Sequence, residues 1–178
     1  MRTLRTTVPV LALAALAAAG CFLISGQFVV HYAFPTPLSL VAGGTLTGVD
    51  VDLNTVSEYN DHKEKLKRIE DLALVGDFRN NTGAAASIEA WIVPGAALNL
   101  SLAQVQAQGV RLWGPLSAGA NSTVSVNWDQ SSTLFVGRQT LIDEIKGDGR
   151  FSVYVVANGA FNLTLTNAAL IVVVGATN

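Results

Sequence analysis

The chain has 178 residues, half of them hydrophobic and only 13% charged, with a net charge of −2. That length provides one domain with a real core. The 11 Lys and Arg against 13 Asp and Glu argue against a nucleic-acid binder, which needs clustered cations for counterion release. The single cysteine, Cys21, rules out an internal disulfide and a Cys-based zinc site, and two histidines, His31 and His62, argue against a His-rich metal site.

Residues 1–20 have the anatomy of a targeting segment: Arg2 and Arg5 in front, then an almost wholly apolar run from Val8 to Ala19, then Gly20-Cys21. Ala18-Ala19-Gly20-Cys21 resembles the lipobox of bacterial lipoproteins. In that family the cysteine thiol carries a diacylglycerol and becomes the mature N-terminus. The resemblance therefore implies lipidation at Cys21, a membrane partner reached through that lipid, and removal of residues 1–20. Losing Arg2 and Arg5 takes the net charge from −2 to −4. The resemblance covers the signal region alone. It departs from the family pattern at Ala18, where Leu is usual, and at Phe22-Leu23-Ile24, where small polar residues are commoner. Two other readings stand beside it. Ala17-Ala18-Ala19 also fits ordinary signal cleavage, and Val8 to Ile24 is an uncleaved anchor if the helix continues past Ser25. All three place the domain outside the cytoplasm, and the lipobox resemblance implies the bacterial cell envelope.

Gln27 to Phe34 is β-prone, and Pro35-Thr36-Pro37 ends it, because each proline removes a ladder donor. Residues 21–37 are thus a membrane-proximal tether or an edge strand, and residues 38–178 form the main domain. Leu38 to Val41 is a short apolar run before a Gly43-Gly44 turn. Residues 50–79 then hold 13 of the 24 charged residues. Here Val49, Val51 and Leu53 alternate with Asp50, Asp52 and Asn54, the period of a half-buried strand. Thr55 with Glu58 fits a capping box for a solvated helix, supported by Asp61–Lys65 and Glu64–Arg68 pairs at i,i+4. Val56, Tyr59 and Leu66 supply its narrow apolar stripe, and Leu72, Leu74 and Phe78 mark the next strand.

Asn80-Asn81-Thr82-Gly83 is a turn by composition. Ile88, Ala90 and Ile92 alternate with Glu89 and Trp91 until Pro94-Gly95. The next segment reads two ways: Leu98 to Leu102 alternates, yet Ser101 and Gln104 would cap a short helix ending at Gly109. Val110 to Leu116 is a strand, and so is the alternation of Val124, Val126 and Trp128. Ser132 caps a helix carrying Leu134, Leu141, Ile142 and Ile145, which Gly147-Asp148-Gly149 ends. Phe151, Val153 and Val155 lead to Asn158-Gly159, the strongest short hairpin signal, and Phe161, Leu163 and Leu165 follow. Leu170 to Val174 reads as a strand buried on both faces. Many short strands with turn signals predict a mainly-β fold, an antiparallel β-sandwich with one or two short surface helices. A membrane β-barrel is the alternative, and low aromatic content with irregular strand spacing disfavours it.

Asp50, Asp52 and Asn54 match the first positions of a calcium loop. Thr55 stands where that loop needs Gly, so they read as the polar face of a strand and as weak metal candidates. Gly147-Asp148-Gly149 is too short for a phosphate loop. His62 lies in a solvated charge run, and Asp143/Glu144 form a catalytic pair only if the fold supplies partners. Sequons at Asn80, Asn99, Asn121 and Asn162 are composition in a bacterial chain. No catalytic residues, cofactor or nucleic-acid partner emerge. The expected function is a non-catalytic, membrane-anchored binding or structural module, the alternative being a carrier of a lipid or other apolar ligand in the sandwich interior.

Overall fold

The computed structural model describes residues 27–66, 68–95 and 97–175. Cys21 and the leader lie outside the described residues. Nine strands form the body: β1 (Gln27–Ala33), β2 (Leu38–Ala42), β3 (Leu46–Asp52), β4 (Arg68–Asn80), β5 (Ala86–Pro94), β6 (Val110–Ala118), β7 (Thr123–Val126), β8 (Arg150–Ala157) and β9 (Phe161–Gly175). They make two antiparallel sheets, one ordered β1-β9-β4-β7 with β2 also on β9, the other β3-β8-β5-β6. This is a β-sandwich, and the two sheets do not close into one barrel. Among the described residues four short helices connect strands: α1 (Ser57–His62), α2 (Leu102–Gln108), α3 (Trp128–Leu134) and α4 (Arg138–Lys146). Among the described residues no helix is long and apolar enough to cross a membrane.

Strand β9 is the axis of the first sheet. Its first half pairs with β2 (Leu40↔Leu163), its second half with β1 (Val30↔Val172), and its other edge with β4 (Leu72↔Val172, Phe78↔Leu165). Alternation explains its burial: Phe161, Leu163 and Leu165 point inward while Asn162, Thr164 and Thr166 stay partly exposed. The register of β4 against β9 slips at Glu70 and at Gly76. Gly76 has φ +143, and a Cβ there would sit 2.7 Å from the Ala168 Cα, so only glycine fits this bulge.

The core lies between the sheets. Phe78 of the first sheet stacks on Trp113 of the second at 5.5 Å. The Trp113 indole donates to the buried Ser131 hydroxyl, which also accepts the Leu74 amide at 2.7 Å, so α3 is pinned to both sheets. Arg138, at the start of α4, pairs with Asp71 and donates to the Glu70 carbonyl, clamping the first bulge of β4. At the far end of β4 the fully buried Asn80 ties three segments together. Its amide donates to the carbonyls of Ala84, Ala118 and Gly119, and its oxygen accepts from the Thr82 amide and hydroxyl.

Several local expectations are corrected. Asn158-Gly159 does not close a hairpin: β8 belongs to the second sheet and β9 to the first. The Asn158 amide and side chain bond Ser87 instead, turning the corner between sheets. Thr55 caps no helix, for its hydroxyl donates to Asp52 O, and Val56 stands at the N-cap of α1 without a side-chain bond. The helix ends at His62, so Glu64 and Arg68 do not pair along it; Arg68 opens β4 and pairs with Glu70. The side chain of Lys65 lies outside what is described. Ser101 and Gln104 do form a capping box, giving α2 and not a strand. The long helix expected after Ser132 is two helices, the first capped by Asn127, and Trp128 belongs to that helix and not to β7. Ile171 and Val173 are only half-buried, so the end of β9 is covered on one face.

Candidate functional site

A polar cleft of about 570 Å³ opens at one end of the sandwich. One wall is the polar stretch after β3, and the other is the turn between α4 and β8.

The first wall starts at Asp52. Its carboxylate accepts from the Asn54 amide (2.9 Å) and side chain (2.8 Å), which winds Leu53–Thr55 into a 3-10 turn. The second oxygen accepts from Arg150 Nε at 3.2 Å. These partners, the Asn54 side chain foremost, hold the Asp52 carboxyl below the usual carboxylate range. Asn60 on α1 donates to the Asn54 carbonyl. Lys63, in the 3-10 turn that follows α1, donates to Asn54 Oδ1 at 3.2 Å.

The second wall is Lys146, Gly147, Asp148 and Arg150. Gly147 N–H donates to Asp143 O and Gly149 N–H to Glu144 O, which ends α4. Gly149 has φ +73, and a side chain there would run into the Tyr59 phenol. Three bonds join the walls: Leu53 N–H to Gly149 O, the Asn54 side chain to Asp148 O, both at 2.9 Å, and the Tyr59 hydroxyl to Ile145 O. Tyr59 is fully buried, and that burial raises its hydroxyl above the usual value.

The three calcium-like residues do not converge on one point. Asp50 accepts from the Ser152 hydroxyl at 2.6 Å on the outer face of the second sheet, while Asp52 and Asn54 bond each other. Arg150 and Lys63 supply positive charge beside them. Among the described residues no cluster of three or more His, Cys, Asp or Glu is arranged to hold a metal ion. Asp143 and Glu144 diverge: Asp143 accepts from Gln139, and Glu144 from the Gly95 amide. His62 packs its ring 4.6 Å from that of Phe28, and His31 lies exposed on β1. The Asn80 sequon is a buried structural asparagine. Asn99 and Asn121 occupy positive-φ turns, at 66° and 50°.

Between the sheets lie two small apolar voids of about 50 and 40 Å³, both touching Phe34, Leu74 and Trp113. No family profile, curated protein or solved structure matches the chain.

Proposed function

We propose that the protein is a non-catalytic domain of the bacterial cell envelope, held at a membrane through Cys21 and acting there as a binding or structural module. The observation that carries this reading is the contrast between interior and surface. Small-molecule sites span about 300–1,000 Å³. The interior voids, about 50 and 40 Å³, fall far below that range, and the outer cleft, about 570 Å³, lies within it. A domain built this way engages its partner from outside. The same voids weigh against a carrier of lipid between the sheets.

The anchor follows from the leader. Five residues, 22–26, separate Cys21 from Gln27, where β1 begins. At ~3.3–3.6 Å per residue the reach from Cys21 to β1 is at most about 20 Å. An acylated Cys21 therefore keeps the Gln27 end of the sandwich close to the bilayer. Intact-mass analysis of the membrane fraction tests this. The expected species starts at Cys21 and carries acyl mass, and Cys21→Ser accumulates as unprocessed or unanchored chain. A mature wild-type chain without acyl mass refutes the anchor.

A further inference from the structure

We propose that the apolar half of the first sheet's outer face, centred on Val29, Ile171 and Val173, lies against the lipid bilayer. This names the surface by which the module proposed above meets its membrane, and it rests on that reading for the membrane itself.

Register and burial define the face. Val30, Leu72 and Val172 point into the core, so their neighbours along each strand point outward. Three rows across β1, β9 and β4 follow: Val29–Val173–Asp71, His31–Ile171–Ala73 and Ala33–Ala169–Val75. Val29 is 49% exposed, His31 and Ala33 are exposed, and Val75, Ile171 and Val173 are half-buried. The short side chains of Ala73 and Ala169 are buried.

The other half of the same face has a different character. Its outward positions include Thr164 and Thr166 on β9, Asp77 on β4 and Ser125 on β7. Polar residues are what a sheet face turned to water carries. The first half carries valine, isoleucine and alanine instead. His31 and Asp71 are the ionisable members of its three rows, and they stand at opposite edges. Asp71 is engaged by the Arg138 guanidinium at 3.0 Å and by the Trp128 indole N–H at 3.1 Å. An indole held by a polar partner at the rim of an apolar patch suits the boundary between headgroups and acyl chains.

Position and size select the bilayer as occupant. β1 begins at this half, for Gln27 lies two residues before Val29 and registers with Gly175. With Cys21 at most about 20 Å from Gln27, an acyl anchor holds the valine half, and not the threonine half, next to the lipid. A second copy of the chain is a poorer fit. Three rows of three residues fall well short of the roughly 20–30 residues a side of a standard protein interface. A bilayer needs no such area, because the acyl chains supply the main attachment and the patch sets the orientation.

The test is lipid quenching of an added tryptophan in the full chain, reconstituted into vesicles of phosphatidylglycerol and phosphatidylcholine with brominated acyl chains. Val29→Trp probes the apolar half. Val41→Trp, at a position 60% exposed on β2 opposite Asn162, probes the polar half. Emission is read as the increment over the three native tryptophans. Compared with bromine-free vesicles, the Val29→Trp increment should lose about half its intensity or more, as expected for a side chain seated about 5–10 Å into the boundary region. The Val41→Trp increment should be unchanged. Both positions are exposed, and matched urea melts verify that each variant folds. Equal quenching at the two positions overturns the proposal, as does absence of quenching at Val29→Trp, the result if residues 22–26 or a second copy cover the face. Acyl mass at Cys21 is measured on the same preparations. Its absence refutes the anchor, whereas an acylated chain unquenched at Val29→Trp refutes the face alone.

Discussion

Asn80 provides the sharpest check on the fold. It is fully buried, and its side chain is the hub of the corner where β4 turns towards β5 and β6 ends. Asn80→Ala removes donors from Ala84 O (2.8 Å), Gly119 O (3.0 Å) and Ala118 O (3.4 Å), and the acceptor for Thr82 N (3.0 Å). Ala84 and Gly119 are exposed enough for water to replace part of what is lost, whereas Ala118 is buried. Counting about 1 kcal/mol for each well-formed bond gives a loss of about 2–4 kcal/mol. With a urea slope of ~2 kcal/mol/M, the midpoint falls by about 1–2 M. Asn80→Asp is almost isosteric yet points a carboxylate oxygen at three carbonyls. At neutral pH it should cost more than the alanine change, about 3–5 kcal/mol, because the charge is buried and the oxygen that replaces the amide nitrogen faces carbonyls, with only the Thr82 donors left on the other. Burial raises that carboxyl in the folded state above its unfolded value near 3.9. The penalty is therefore complete above the folded value and fades as pH falls towards the unfolded one. Urea melts across pH read both effects. An Asn80→Asp variant as stable as wild type at neutral pH would refute the hub.

Leu72→Ala should cost about 2–5 kcal/mol in the same assay, since Leu72 is fully buried, while the exposed Asp61→Ala should change little. Gly149→Ala forces a positive φ on alanine and drives its Cβ against Tyr59, so the urea midpoint should fall by the equivalent of at least ~2 kcal/mol. Tyr59→Phe should not rescue it, because ring carbons Cζ and Cε1 would lie at 2.7 and 2.8 Å from the new atom. The depressed Asp52 carboxyl contributes stability that is complete above about pH 4 and is lost as pH falls through its folded value. Asp52→Asn should abolish that segment of the pH–stability curve, and an unchanged curve would show that Asn54 and Arg150 do not hold the charge.

Alternation was the readable signal because burial imposes it directly. Ile88, Ala90 and Ile92 on β5, and Phe161, Leu163 and Leu165 on β9, are buried where their period places them. Turn chemistry was readable only as reversal. Asn158-Gly159 says that the chain turns, but which sheet receives the next strand depends on Ser87, 71 residues away. Capping was legible at Ser101, where the box is local, and misread at Thr55, where Asp52 had already captured the Asn54 amide. The cleft was half-visible as a concentration of charge around Lys63. Its other wall meets the first through Asn54 and Asp148, 94 residues apart, and no local pattern encodes that meeting. The bulge at Gly76 and the hub at Asn80 were hidden for the same reason: their causes are partners distant along the chain.

The place of β9 has a consequence for biosynthesis. Among the described strands the axis of the first sheet leaves the ribosome after all the others, and the strands it joins, β1, β2 and β4, are made long before it. Until residues 161–175 emerge, β1 and β2 have no partner, and β4 has only the four-residue β7. Six of the eight strand-to-strand connections also change sheets, so few early neighbours pair with each other. Nascent chains of this design hold little native structure during synthesis, since distant pairings close late and slowly. Under the proposed export across a membrane, that delay would keep the polypeptide threadable. A chain cut short before Phe161 leaves the first sheet without its centre, so quality control would meet an unfolded product and not a smaller domain.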